Sequence, residues 1–485
     1  MALIISAFLS SIAAGENETK YFAVFLSGQK AGHAKLTRMV DGDKVVTTEN
    51  LKLTVSRANI PVTMKVTETC IETIDGKPLG FQVNQDFSLM QMRLEGQIEG
   101  NTLHITTEAM GGNQETSMPW PEGALMAEGI RLLSLEKGLA QGTTYDAKLY
   151  SPGGMQAVDV TLTVGEKENV DLLGRVVPLT KVTTLMKLAG AGEMKATSYV
   201  DDKLELYKNV MPAMGLEIEM VACSMEFALS EDSVVDIVNK MFIKSPQTFE
   251  KLDKIDSITY ELKPNDANST VVIPASDNQT VTVREDGVIS VTVTPLKKKR
   301  GDQPLPYAGE DPKALEALKP NRYVQSDDPL ISELAKQAIG DSKDAYEAAK
   351  KIETFVANHI ENKGLSVGYA SASEVAQSRQ GDCTEFSVLT AAMCQAAGIP
   401  ARVVMGVAYI GEFAGLTDQF GGHAWTEVFI EGQWVGLDAS FKSSGLGGYD
   451  AGHIMLASGS GEPETFFSLV GSMGLFTIEK ATVNE

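Results

Sequence analysis

The 485-residue chain is short of several things, and each shortage excludes something. Its four cysteines, Cys70, Cys223, Cys383 and Cys394, are too few for a disulfide framework, and none stands in a CxxC or Cys/His cluster spaced for zinc. No structural metal and no cofactor is expected; if one disulfide forms, it pairs Cys70 with Cys223. Positive charge is also scarce. With 42 Lys+Arg against 64 Asp+Glu the formal net charge is −22, which makes nucleic acid and anionic lipid poor partners. No apolar run reaches the roughly 20 residues that span a bilayer, so no integral membrane segment is expected. The longest run, residues 2–14 (ALIISAFLSSIAA), resembles the apolar part of an export signal, followed by small residues at Ala13-Ala14-Gly15. That predicts a signal segment over 1–15 and an exported, periplasmic or secreted protein. No Lys or Arg precedes the run, so a buried strand in a cytoplasmic protein is the alternative.

What is present is an ordinary folded composition, 43% hydrophobic and 22% charged, in a length that allows about two to four domains. From Tyr21 to Thr294 short alternating runs rich in Val, Thr and Ile, broken by turn residues, predict a large antiparallel β region. Residues 44–55 and 62–74 are examples, the second closing on Asp75-Gly76, and 195–207 repeats the pattern about Asp201-Asp202. One helix is expected within it, opened by Pro121 and closed by Gly138, covering a sheet. The predicted organisation is a β-rich domain over 16–245, a small β unit over 246–296 and a linker over 297–325. The linker carries Lys297-Lys298-Lys299-Arg300 and then Pro304, Pro306 and Gly309, and a domain over 326–485 follows it, where helical periodicity begins. Apolar stripes predict helices near 329–338 and 344–360.

The chemistry concentrates between Gly381 and Ser440. Asp382 and Glu385 form a capping-box pair that opens a helix at Cys383, and Gly398-Ile399-Pro400 ends it. At the first helical position a thiol meets unsatisfied N–H groups and the positive end of the helix dipole, which favour the thiolate and can hold an oxyanion. The two capping carboxylates push the other way, so a cationic partner is required. Further on, AWTEVFI and QWVGLD flank Glu431-Gly432, a two-residue hairpin turn. Pairing Ile430 with Gln433 makes opposing residue numbers sum to 863, which sets Trp425 against Asp438 and His423 against Ser440. His423 and Asp438 then share a face as diagonal neighbours. A thiol at a helix N-terminus, an imidazole to deprotonate it and a carboxylate to fix the imidazole's tautomer describe acyl transfer through a thioester.

The runs GDCTEFSVLTAAMCQAAGIPARVVMG and GGHAWTEVFIEGQWVGLDAS resemble the transglutaminase-like superfamily of papain-related thiol enzymes, particularly its exported bacterial members. The resemblance covers the last third of the chain, up to Gly452-His453-Ile454. It implies an α+β papain-like core with the nucleophile helix on an antiparallel sheet, Cys383 as nucleophile, His423 as general base and acid, and Asp438 as orienter. Ala439-Ser440 stands where the family often has Pro-Thr, and Met393-Cys394-Gln395 where an arginine is common; neither touches the triad. The oxyanion hole is expected to combine the Cys383 N–H with a second donor, Gln380 or Tyr369, and Trp425 is either hairpin core or a wall of the acyl site. Cys394, His359 and His453 are expected to be structural, Arg402 to pair with a carboxylate, and the glycine-rich stretch 411–422 to form a flap. The expected substrate is a protein or peptide amide, with water as acceptor in a hydrolase or an amine in a transglutaminase. A non-catalytic binding or scaffold protein is the alternative from another class, and an intact triad counts against it.

Overall fold

The computed structural model describes residues 17–57, 60–87, 90–109, 112–188, 192–213, 216–236, 242–265, 271–296, 303–364, 370–413, 416–461 and 475–484. The expected signal segment, the basic run Lys297-Lys298-Lys299-Arg300 and Tyr369 lie outside these residues. Strand accounts for 53% of the chain and helix for 18%, so the protein is mostly β, with the longer helices gathered toward its C-terminal half. It divides into two compact units, with the boundary at Ile237/Val238.

The first unit is one 16-stranded sheet. Each strand from Asn17–Leu26 to Gly112–Pro119 pairs with the next, and the first, Asn17–Leu26, pairs along its other edge with Leu216–Cys223. Alternation drives this: in Lys44–Arg57 the residues Val45, Thr47, Glu49, Leu51 and Leu53 are buried while those between them are half-exposed. The turns fall where expected. Gly76 sits at φ 80°, and the Asp201 carboxylate accepts the Lys203 and Glu205 N–H groups at 2.9 Å each. Both the first block and its repeat at 195–207 belong to the one sheet. All four cysteines are free, so the Cys70–Cys223 pairing is not made.

Among the described residues of this unit the longer helix is Ala127–Lys137, ending at Gly138, and Pro121 lies in the turn ahead of it rather than at its first position. The start is fixed from the sheet: Glu72 accepts the N–H groups of Glu128 and Gly129 at 2.6 and 2.9 Å. Glu128 in turn is buried between Arg38, which donates twice at 2.9 Å, and Arg131 at 3.0 Å. Glu128→Ala removes the carboxylate that two buried guanidinium groups share. We expect a loss of about 3–5 kcal/mol, read as a lower denaturant midpoint for this unit while the second unit's transition stays in place.

In the second unit a sheet runs in the order Phe242–Lys244, Leu416–Ile430, Ala401–Phe413, His453–Gly459, with Gln433–Leu437 also on Leu416–Ile430, all antiparallel. The three strands within 246–296 do not stand alone. Ser257–Pro264 is flanked by Ile289–Val293 and by Phe476–Asn484, so residues from the far end of the chain complete that sheet. It is tied to the first by Gln279, whose amide donates to the Met455 carbonyl at 3.0 Å and accepts the Met455 N–H at 2.9 Å. Residues 303–325, expected as a linker, are also bound in: the Ala317 carbonyl accepts from Ala401, and Ala314 packs on Phe429 and Trp434. Helices Pro329–Ile339 and Ala345–His359 form where the apolar stripes predict them and begin at N-caps Asp328 and Asp344. Helix Cys383–Ala396 is buried from Thr384 through Gln395 and packs on Leu416–Ile430, with the Thr426 hydroxyl donating to the Ser387 carbonyl at 3.0 Å.

Candidate active site

Helix Cys383–Ala396 starts as its sequence dictates. The Asp382 carboxylate accepts the Thr384 N–H at 3.0 Å, and Glu385 reaches back to the Asp382 N–H at 2.8 Å, its other oxygen accepting from Ala370 at 2.9 Å. Gly381 makes this possible, because a Cβ there would lie 2.3 Å from the Glu385 Cβ. At the far end Ala397 caps the helix and Gly398 follows at φ 79°. Cys383 is thereby set at the first helical position, partly exposed, with its sulfur 3.8 Å from Asp382 Oδ1. Burial and the Asp382 charge push this thiol well up, Glu385 and Asp438 add to the rise, and the backbone N–H of Ala424 against the sulfur works the other way. Activation therefore depends on a proton acceptor and on positive charge nearby.

The expected hairpin register is observed. Glu431 and Gly432 both have positive φ, 51° and 81°, and the pairs Ile430–Gln433 through Thr426–Leu437 keep the sum of 863. The ladder then stops: Asp438 leaves it to cap the short helix Ala439–Ser443, Oδ1 accepting the Phe441 N–H at 2.9 Å. The pairings of Trp425 with Asp438 and His423 with Ser440 are consequently not made, yet the diagonal contact is, with His423 Nε2 2.7 Å from Asp438 Oδ2. Both residues are buried, at 4% and 1% exposed. A carboxylate only accepts, so Nε2 carries the proton and Nδ1 is the basic nitrogen. Among the described residues no hydrogen bond joins Cys383 to His423; what meets the sulfur is the N–H of Ala424, the next residue along.

Two further residues close around Asp438. His453 Nε2 also donates to Oδ2, at 3.0 Å, and its Nδ1 lies 3.0 Å from Asp450 Oδ1. Glu353, fully buried on helix Ala345–His359, accepts the Asp438 backbone N–H at 3.0 Å and pairs with Lys442 at 3.2 Å. Burial opposes ionisation of Asp438, but the His423 charge and the hydrogen bonds from both histidines overcome it and hold the carboxyl well below its usual range. For His453 burial works against the cation, while the bonds to Asp438 and Asp450 outweigh it and raise the ring to about 9. Glu353 carried a signal in the sequence, an acid on the apolar stripe of Ala349, Ile352 and Val356. His453 carried less, a histidine opening a strand.

Of the remaining candidates, Gln380 is half-buried in a two-residue strand beside Asn362–Lys363, just ahead of the helix. Trp425 is 1% exposed in a cluster with Val404, Met455 and Tyr449, its ring 6.2 Å from that of His423 and 5.3 Å from that of His453. It stands beside both imidazoles and is itself buried. Arg402 pairs with Glu427 at 2.6 Å and stacks 4.1 Å from Trp434. The described part of 411–422 is strand, not flap: Val407–Gly422 through Glu412–Thr417 are ladder pairs. Cys394 is packed core. His423, Asp438 and His453 place three ligand-type atoms within 4.8 Å of one another, a spacing that fits a metal ion. Each Nε2 also lies within hydrogen-bond distance of the same Asp438 oxygen, so with a proton on both nitrogens the three side chains form a hydrogen-bonded cluster.

Residues 332–439, which include Cys383, His423 and Asp438, match the family model of the transglutaminase-like superfamily. The second unit carries a transglutaminase-like domain. No curated protein sequence matches the chain. Among solved structures the chain is similar to a protein from Cytophaga hutchinsonii described as a candidate cysteine protease, at 19% identity and TM-score 0.31, over 50% of this chain and 85% of that one. It is also similar to a β-barrel-like protein of unknown function from Brucella abortus, at 12% identity and TM-score 0.34, over 44% and 98%. A candidate protease from Parabacteroides distasonis aligns at 13% identity and TM-score 0.19, over 72% and 64%. Among the described residues no helix is long and apolar enough to cross a membrane.

Proposed function

We propose that the second unit is a thiol-dependent acyl-transfer enzyme with a papain-like α+β core, hydrolysing an amide or peptide bond of a protein or peptide substrate. Cys383 is the nucleophile, His423 the general base and acid, and Asp438 the orienter. The observation that carries the reading is the 2.7 Å bond from His423 Nε2 to Asp438. It leaves Nδ1 with the free lone pair, on a residue whose chain neighbour already touches the Cys383 sulfur through its N–H. In the first half-reaction the thiol proton passes to Nδ1 as sulfur attacks the carbonyl carbon. The N–H groups at the start of the helix receive the oxyanion, and the C–N bond breaks as His423 returns the proton to the leaving amine. Water then attacks the thioester, giving its proton to His423, and the thiol is restored with release of the acid. The Asp438 charge and the positive end of the helix favour imidazolium and thiolate respectively.

The reading is tested by labelling with iodoacetamide and locating the adduct by mass spectrometry, in the wild type, Cys383→Ala and His423→Ala. We expect Cys383 to label preferentially at low pH and to need His423, whereas equal, sluggish labelling of all thiols would sink the proposal. Incorporation of an amine into glutamine peptides, against release of new peptide termini, then separates transferase from hydrolase.

A further inference from the structure

We propose that His453 is a positioning residue of this site: it shares the Asp438 carboxylate with His423 and, clamped between Asp438 and Asp450, places a fixed positive charge behind the catalytic pair. The inference rests on the thiol reading above and adds a fourth member to it.

The geometry leaves His453 little choice. Its Nε2 faces Asp438 Oδ2 at 3.0 Å and its Nδ1 faces Asp450 Oδ1 at 3.0 Å, with both acids nine-tenths buried or more. Two carboxylates accept and neither donates, so satisfying both takes a proton on each ring nitrogen, which is the imidazolium; the Asp450 N–H, 3.3 Å from Nδ1, is the longer contact and the one donor that would suit a neutral ring. The titratable groups facing the ring are Asp438 at the cap of Ala439–Ser443, Asp450 and Tyr449 in the loop before its own strand, and His423 across the sheet, ring to ring 5.7 Å. Tyr449 is held neutral by burial, reinforced by Glu427 and Asp450. The cation thus has two anions to itself, less the share of Asp438 that His423 takes.

The site needs such a charge. Every carboxylate near the Cys383 sulfur, Asp382, Glu385 and Asp438, opposes the thiolate, and the whole chain is acidic. A cation on the far side of Asp438 reduces what that acid contributes to the opposition without competing for the Nδ1 lone pair of His423. It also fixes the carboxylate mechanically. Oδ1 is held by the Phe441 N–H and the backbone by Glu353, but Oδ2 would otherwise have His423 alone, the partner whose charge changes during the reaction. Gln279 steadies the strand that begins at His453 through its paired bonds to Met455. Gly406, where a Cβ would meet the Ile454 carbonyl at 2.1 Å, lets that strand close on Ala401–Phe413.

The experiment follows the pH dependence of Cys383 alkylation by iodoacetamide in the wild type, His453→Gln, His453→Phe and Asp450→Asn, with folding checked by near-ultraviolet circular dichroism. Removing the cation makes the thiolate harder to form, so the acid midpoint of labelling should move up by about one pH unit, about a tenfold slower reaction at a pH below that midpoint. Gln can still donate to Oδ2, so it should recover the plateau rate that Phe loses while keeping the shifted midpoint. Asp450→Asn removes one clamp without touching Asp438 and should shift the midpoint in the same direction. A folded His453→Phe protein with the wild-type profile overturns the inference, and so does a loss of rate with no shift in any of the three. If His423→Ala leaves wild-type labelling unchanged, the thiol reading itself has failed; if labelling needs His423 but ignores His453, only this inference has.

Discussion

Asp438→Asn is expected to lower the rate of acyl transfer on the order of 10⁴-fold while leaving the fold in place. The amide keeps an oxygen that can cap Ala439–Ser443 at the Phe441 N–H, so the local backbone has no reason to move. If that oxygen holds the cap, the NH₂ group takes the place of Oδ2, where it confronts two Nε2–H donors, those of His423 and His453. Neither bond survives donor against donor. His423 is then relieved by taking the other tautomer, with the proton on Nδ1, which removes the base the thiol needs and the reason for the ring's orientation. Single-turnover acylation of the folded variant by an activated ester, compared with wild type at several pH values, measures the effect. A loss of less than tenfold would show that Asp438 does not orient the base.

Alkaline pH should loosen the second unit before it affects ordinary surface chemistry. The His453 ring is raised to about 9 in the folded protein, against an ordinary value near 6.5. A group whose pKa is raised on folding adds stability that is complete below the unfolded value and is lost as pH climbs through the folded one. The window is therefore pH 6.5 to 9, and over it the contribution lost is about 3 kcal/mol. Asp438 has the opposite sign. Its carboxyl is depressed, so its contribution is present above the ordinary carboxylate range and disappears only as acid protonates it. The two meet in one hydrogen bond, so their contributions are not summed. Denaturant midpoints of the wild type at pH 6 and 9.5 should differ accordingly, and those of His453→Gln should not. An equal slope in both proteins would refute the assignment.

Much of the site was legible because it is built from local rules. Capping chemistry placed the start of the nucleophile helix at Cys383, and a two-residue turn at Glu431-Gly432 fixed a register accurate enough to bring His423 to Asp438. The turns of the β region follow from nearest neighbours in the same way. What was hidden depends on partners far apart in sequence. Glu72 sets the start of a helix more than fifty residues on, which is why Pro121 misled, and Glu353 reaches Asp438 across 85 positions. His453 looked structural because nothing near it in sequence says that its Nε2 meets the same oxygen as His423. The stretch 411–422 was misread by composition: glycines that suggest a flap here allow close approach of paired strands, as at Gly421, where a Cβ would fall 2.7 Å from the Phe242 ring. In the described part of the expected linker, Ala314 with Tyr307 and Ala317 packs on Phe429 and Trp434, a contact its proline- and glycine-marked composition does not announce.

The sheet that borrows Phe476–Asn484 has a consequence for the order in which the chain can mature. Ser257–Pro264 is central only once that strand is in place; before then it is an edge, with one row of N–H and carbonyl groups unpaired. During synthesis the residues of the thiol, the base and the orienter all emerge ahead of residues 476–484. The sheet that carries Gln279, and through it Met455 and the strand of His453, stays incomplete until the last of them appears. Contacts spanning more than 200 positions also close slowly. A nascent chain therefore holds Cys383 for some time on an unfinished support, which is complete only once residues 476–484 have emerged and paired.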